Sequence, residues 1–188
     1  MMTAPSPKHL SELMVIEALE GKTADEVEMI WNEYHDKEPH RVASVMSSSE
    51  WTRLSSNAKS SPLFVLPLKK PGGGYLSMLS QAQVPLILLT TVDEYRTQTV
   101  NAPAHLSITA YDELKESNGI VLLRGDIINE HTISKTEGRL LMELIRAFYS
   151  VEEDYRAPSG PYAFNHTPTS FSFTDLLAKL KIEGGMTQ

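Results

Sequence analysis

NAPAHLSITAYDELKESNGIVLLRGD, Asn101 to Asp126, decides the fold. His105 to Thr109 is a strand-like run. It leads into a short polar turn of helix around Tyr111 to Leu114, then a charged link closing on Asn118-Gly119. A second apolar run, Ile120 to Leu123, follows and meets charge abruptly at Arg124-Gly125-Asp126. Short apolar runs joined by polar turn residues read as strands of one sheet. The block holds no nucleophile with its base and no phosphate loop. It reads as sheet whose end presents a fixed polar surface.

Further strands lie on either side. Leu63 to Leu68 is a short apolar run, and Pro67 within it places it at a sheet edge or strand end. Lys69-Lys70-Pro71-Gly72-Gly73-Gly74 is a hairpin-length turn. Tyr75 to Gln83 is a second strand, and Leu86 to Thr91, beyond Pro85, a third. Ile127 to Ile133 adds another candidate, and Tyr162 to Asn165 a final one. The hairpin length of 69–74 favours local antiparallel pairing.

Helical patterns flank this middle. His9 to Glu20 carries Leu10, Leu13 and Met14 at helical spacing before Gly21. Thr23 and Glu26 form a capping box ahead of Val27, Ile30, Trp31 and Tyr34, one apolar face at i, i+3, i+4 and i+7. Ser48 or Ser49 caps a third helix with Trp51, Leu54 and Ala58 on one side. Ser60-Ser61-Pro62 ends it and reads as a flexible joint. Val92 to Thr97 forms a short helix. Ser134 and Glu137 open the strongest helix, with Leu140, Leu141, Leu144, Ile145 and Phe148 inward. Val151 to Pro161 reads as a polar link, and Thr174 as the cap of a last helix over 175–181. Residues 1–7 read as a disordered start, and Gly184-Gly185 as the end of the ordered chain. The expected class is α+β: a mostly antiparallel sheet of six or seven strands packed with helices, preceded by an N-terminal helical segment. Residues 1–60 form that acidic segment and 61–188 the α+β core, in one compact domain overall.

The 188 residues suffice for a hydrophobic core. No apolar run approaches the roughly 20 residues a spanning helix needs, so membrane insertion is not expected. The absence of cysteine excludes disulfides, cysteine-ligated metals and thiol chemistry, and fits a reducing compartment. The formal charge of −7 is uneven: residues 1–40 carry three lysines against nine acids, leaving a net of −1 for the rest. No concentrated Lys/Arg patch is present, so nucleic acid is not an expected partner.

Candidate chemistry is sparse. The glycines at 72–74 follow their lysines and precede a strand, the reverse of a phosphate loop. None of the six histidines has His-Glu-x-x-His spacing, and Pro39 breaks the helix that would align His35 with His40. No Gly-x-Ser-x-Gly elbow appears. Asp112 and Glu113 are adjacent in an exposed turn, not held apart in a cleft. No metal, cofactor or catalytic residue is therefore expected. Trp31 and Tyr34 are either partner anchors or core residues, and their helical spacing favours the core. Arg124 and Asp126, where charge follows an apolar strand, are either a partner-accessible sheet end or a solvated strand terminus. Phe164, Asn165, Pro168, Phe171 and Phe173 cluster aromatics among turn residues; they either close the sheet against the last helix or line an exposed patch. The candidate protein-binding residues are Arg124, Asp126, Phe164, Asn165 and Phe171.

Four blocks in order resemble one family. They are Ile30-Trp31-Asn32-Glu33-Tyr34-His35; Pro62 to Leu68; Asn101-Ala102-Pro103 with Tyr111 to Lys115 and Gly119 to Leu122; and Phe164-Asn165-His166-Thr167-Pro168-Thr169-Ser170-Phe171. Together they resemble the mitochondrial ATP synthase (F1-ATPase) assembly factor 1 family. The resemblance implies an assembly chaperone that binds the unassembled F1 β subunit, shields its α-facing surface and is released as the αβ hexamer forms, without nucleotide hydrolysis. It also implies the mitochondrial matrix. The acidic N-terminus is wrong for a transit peptide, so either the chain is trimmed or the presequence is absent. The protein is expected to be monomeric when free. Two contact modes stay open: strand addition at a sheet edge, and steering of basic client surfaces by the acidic helices. The alternative is a small hydrolase or ligand-binding protein sharing only the architecture, which a deep pocket with convergent polar groups would favour.

Overall fold

The computed structural model describes residues 2, 7–19 and 21–182. Its strands are β1 (Arg41–Ser47), β2 (Leu63–Lys69), β3 (Tyr75–Gln83), β4 (Leu86–Thr91), β5 (Leu106–Tyr111) and β6 (Ile120–Ile127). Its helices are α1 (Ala24–Asp36), α2 (Ser48–Ser60), α3 (Val92–Gln98), α4 (Lys115–Asn118), α5 (Lys135–Ser150), α6 (Glu152–Arg156), α7 (Pro161–His166) and α8 (Phe173–Lys179). The six strands form one antiparallel sheet in the order β1-β6-β5-β4-β3-β2. The expected α+β class holds, and β2, with Pro67, is an edge strand.

Alternation along each strand sends side chains to two faces, and both faces are apolar. Val42 and Met46, Ile87 and Leu89, and Val121 and Leu123 share a core with Trp51, Leu54 and Ala58 of α2 and Leu141, Met142, Ile145 and Phe148 of α5. Their strand neighbours point the other way. Ala43, Val45, Ile120 and Leu122 pack beneath Val27 and Trp31 of α1. In mid-sheet, Leu86 and Leu88 pack with Met2 and Ala102. Met2 is tied down at both backbone ends: its N–H donates to Gln81 Oε1 at 2.8 Å, and its carbonyl accepts from Gln83 Nε2 at 2.9 Å. The rest of the expected disordered start (residues 1 and 3–6), the end of the first helix at Glu20, and Gly184-Gly185 lie outside the described residues.

Several elements depart from the sequence reading for physical reasons. The expected helix from His9 is two 3-10 turns, Leu10–Glu12 and Ile16–Leu19. Leu10 and Leu19, nine residues apart, would lie on opposite sides of an α-helix. Both bury in the core beneath α1, so the path must bend. In α1 the buried stripe is Val27, Trp31 and His35, anchored by Trp31 Nε1 donating to Leu123 O at 3.0 Å. Ile30 and Tyr34, read as inward, are 36% and 51% exposed. A strand, β1, occupies Arg41–Ser47, inside the segment read as helical. Ser47, rather than Ser48 or Ser49, caps α2 in a capping box with Glu50.

The helical turn read at Tyr111 to Leu114 falls instead at α4, after Tyr111 ends β5. Beyond Ile127 the chain does not form a strand. The Asn129 side chain accepts from the His131 and Thr132 amides and turns it toward α5. Tyr162 to Asn165 is helical, because Pro161 supplies the preset φ of a first helical turn. The link 151–161 contains α6. Ser172, not Thr174, caps α8. Ser61 is no flexible joint: it is fully buried, its hydroxyl 2.8 Å from Tyr155 OH and its carbonyl accepting from Tyr149 OH at 2.8 Å.

Two glycines sit where a Cβ has no room, for different reasons. A Cβ on Gly125 would meet Val42 Cγ2 at 2.6 Å, a side-chain neighbour. One on Gly160 would meet Asp154 O at 2.2 Å and Tyr155 O at 2.6 Å, both backbone. Gly160→Ala is therefore expected to destabilise by about 3 kcal/mol or more, and Gly125→Ala by about 1–3 kcal/mol, as overpacking does. Urea unfolding of the two variants beside the parent checks the order.

His35 yields a second expectation. Burial depresses its pKa below the ordinary 6.5, with help from the nearby Arg124 and Arg41 charges and against a backbone hydrogen bond to Trp31. Below pH 6.5 the unfolded chain takes up a proton that folded His35 resists. The stability present above that pH is lost as pH falls. The thermal midpoint is expected to drop between about pH 7.5 and about pH 5.5, and the drop should shrink in His35→Gln.

Candidate functional site

The face of the sheet opposite α2 and α5 is only partly covered. Over β2 and β3 it opens as a cavity of about 650 Å³. Leu63 and Val65 of β2 point into it, since Phe64, Leu66 and Leu68 fill the core on the other side. Tyr75, Ser77 and Leu79 of β3 complete the floor. Val92, Asp93, Tyr95 and Arg96 of α3 form one wall, and Phe164 of α7 and Phe173 of α8 form another. The lining is aromatic and aliphatic. Its charged members, Asp93 and Arg96, are 3.8 Å apart and largely exposed.

The C-terminal wall is built by stacking. Phe164 and Phe171 lie edge to face with centroids 5.1 Å apart, and each contacts Phe64, at 6.2 and 6.4 Å. Phe173 stacks on Tyr75 at 5.8 Å. Asn165 fixes α7 to the sheet edge. Its Oδ1 accepts from Leu63 N–H at 3.2 Å, and its Nδ2 donates to Leu63 O at 2.6 Å and Pro161 O at 2.7 Å. The amide thus occupies the place of a neighbouring strand.

The α3 wall is held differently. Thr91 caps the helix, accepting from Glu94 N–H at 3.2 Å and donating to Glu94 Oε2 at 2.6 Å. The same carboxylate oxygen contacts His105 Nε2. Burial pushes the Glu94 pKa up, but the hydrogen bonds from Thr91 and His105 outweigh it, leaving the carboxyl below its ordinary value.

The five candidate residues fall in two places. Phe164 lines the cavity, Asn165 caps the adjoining edge and Phe171 backs Phe164. Arg124 and Asp126 lie toward the other end of the sheet, and Arg124 does not end a strand. It pairs with Ala43 of β1 on one side and Thr109 of β5 on the other. Its side chain is 12% exposed and donates to Asp126 Oδ1 at 2.6 and 3.0 Å, with Arg41 Nε 3.5 Å from the same oxygen. The sequence reading missed Val65, Leu79, Tyr75 and Tyr95. Tyr95 carried the one usable signal: it shares a side of a short polar helix with Val92, three residues back, and nothing in that helix is buried.

Reactive groupings are weak among the described residues. Ser61 Oγ lies 3.2 Å from His166 Nε2, but Ser61 is fully buried and no described carboxylate orients that ring, which instead stacks on Tyr162 at 4.6 Å. No group of three or more His, Asp or Glu in the described residues could hold a metal ion. No described helix is long and apolar enough to cross a membrane.

The chain is similar to the ATP synthase mitochondrial F1 complex assembly factor 1 proteins of Mus musculus and Homo sapiens. Each is 26% identical over 179 residues, covering 94% of this chain and 53% of the relative. The Danio rerio protein of the same name is 25% identical over 179 residues, covering 94% and 57%. The chain thus spans about half the length of the curated relatives it matches. A model of the family described as ATP11 protein matches residues 2–177, nearly the whole described chain, and on that match the chain belongs to the ATP11 protein family.

Proposed function

We propose that this protein is an assembly chaperone of the mitochondrial F1 ATP synthase. It binds the unassembled β subunit and covers the surface that α later occupies. The observation that carries the reading is the open apolar cavity over β2 and β3, in a family whose relatives are named as F1 complex assembly factors. An unassembled subunit exposes interface, and exposed apolar interface associates wrongly. An aromatic-walled cleft matches that need: rigid rings supply contact area at low entropic cost. Release follows when the mature neighbour competes more favourably, an exchange of binding free energies with no hydrolysis step, no cofactor and no catalysis by this chain.

The cavity is made of residues 63–173, so the client site belongs to the part of the chain after residue 60. The acidic first segment contributes α1 and β1 and presents a negative surface that steers basic client patches. Arg124 and Asp126 act from within, holding the sheet beneath α1. The protein works in the mitochondrial matrix and is monomeric when free.

Size-exclusion chromatography with light scattering, on mixtures with isolated β and separately with α, tests the reading. A defined complex with β alone is expected. The double variant Tyr95→Ser/Phe173→Ser, at two half-buried wall positions, should weaken it at least about tenfold, a loss of roughly 1.4 kcal/mol. A complex with α instead would reassign the client. Binding of small apolar ligands with no complex to either subunit would move the protein to the ligand-binding class.

A further inference from the structure

Helix α3 is an unusual wall. It buries none of its seven residues, yet four of them, Val92, Asp93, Tyr95 and Arg96, line one side of the cavity. Its C-terminal end passes into Thr99, whose φ of +52° is a conformation that β-branched residues rarely adopt. Its apolar anchoring is thin: only Val92 and Tyr95 pack against the sheet clusters, and neither is fully buried. Polar contacts add to that hold. Glu94 reaches back to the Thr91 hydroxyl at the end of β4 and to the imidazole of His105 just before β5.

His105 is placed for that contact. Its side chain is 3% exposed. Its backbone is locked into the sheet: its N–H donates to Leu89 O at 2.8 Å, and its carbonyl accepts from Ile128 N at 2.8 Å. Its Nδ1 is buried with no hydrogen-bond partner among the described residues. A buried ring nitrogen left unpaired costs free energy. The other nitrogen, on Glu94, is the side chain's one polar link.

We infer that Glu94 and His105 form a latch that positions α3 as a wall of the client cleft, so that this contact, with the Thr91 cap beside it, controls the width of the cleft and with it the grip on an apolar client segment. Both are positioning residues, and the inference rests on reading the cavity as the client site. Closed, the latch holds Tyr95 across the floor from Phe173. Released, α3 can swing about Thr91 and Thr99 and the cleft loses one side.

Hydrogen exchange by mass spectrometry on the parent, Glu94→Ala and Glu94→Gln tests the latch without any client. Glu94 is one-third exposed, so these variants keep the core, and the β4 and β5 amides serve as an internal control. In Glu94→Ala the α3 amides are expected to exchange at least about tenfold faster while the sheet is unchanged. Glu94→Gln, which keeps an acceptor for both partners, should restore most of the protection. Binding to isolated β should weaken about tenfold in the Ala variant, mainly through faster dissociation, and recover in the Gln variant. Unchanged α3 exchange in Glu94→Ala overturns the latch whatever the client does. Loosened α3 with unaltered β binding overturns its role in the site. If the parent itself does not bind β, the proposed function fails, and the exchange measurement still decides whether the latch exists.

Discussion

A sheet that is apolar on both faces must be covered on both, and the helices of the described residues cover one face and part of the other. That constraint organises the molecule. Strand β4, LILLTT, is buried at every position, because Ile87 and Leu89 face α2 and α5 while Leu86 and Leu88 face Met2 and Ala102. On the second face α1 shields β1 and β6, the mid-sheet is closed by two short pieces of chain, and β2 and β3 stay open. The cavity is what the covering elements leave over, and an uncovered apolar surface beside a well-packed core is where a partner gains most from docking.

The covering elements are held by a few long-range polar contacts rather than by apolar area alone. Trp31 Nε1 reaches a sheet carbonyl between α1 and β6. Arg146 of α5 donates to Glu50 of α2 at 3.0 Å and to the Ser44 hydroxyl of β1 at 3.3 Å, tying two helices to an edge strand. Lys70, in the β2–β3 turn, donates to Glu137 at 2.7 Å and to Thr132 O at 2.9 Å, clamping the start of α5. Each joins elements far apart in sequence. The Arg146 and Lys70 contacts hold the first face and Trp31 holds the α1 side of the second, in contrast to the thinly held α3 side.

Sequence alone revealed whatever was decided locally. The capping boxes at Thr23/Glu26 and Ser134/Glu137 are where the residue pattern placed them, and Pro67 marks a true edge strand. It failed where a distant partner decides. RVASVMS becomes β1 because β6 offers it a ladder, and nothing within seven residues announces that. Ile30 and Tyr34 lie outward although their spacing from Val27 is helical, because the sheet accepts the stripe led by Trp31. Arg124-Gly125-Asp126 looked like a strand end but is interior to one, since Gly125 admits Val42 and the charges neutralise one another. The aromatic cluster after Phe164 was legible as a cluster. That it forms a cavity wall with Tyr95, some seventy residues earlier, depends on strand order, which a linear pattern does not encode.

The amide of Asn165 has a consequence for how one copy of this chain meets another. At the outer edge of β2 the residues whose backbone groups point away from β3 are Leu63, Val65, Pro67 and Lys69, as the Asn165 bonds to Leu63 and the Ala82 N–H to Pro62 O bond establish. Leu63 is already engaged, and Pro67 has no N–H to give. The donors left, Val65 and Lys69, are four residues apart, and Lys69 brings a charge. A template for fibre growth needs an unbroken row of donors and acceptors. This edge is interrupted at every second rung, so the apolar surface beside it can stay open without its border recruiting copies of the same chain.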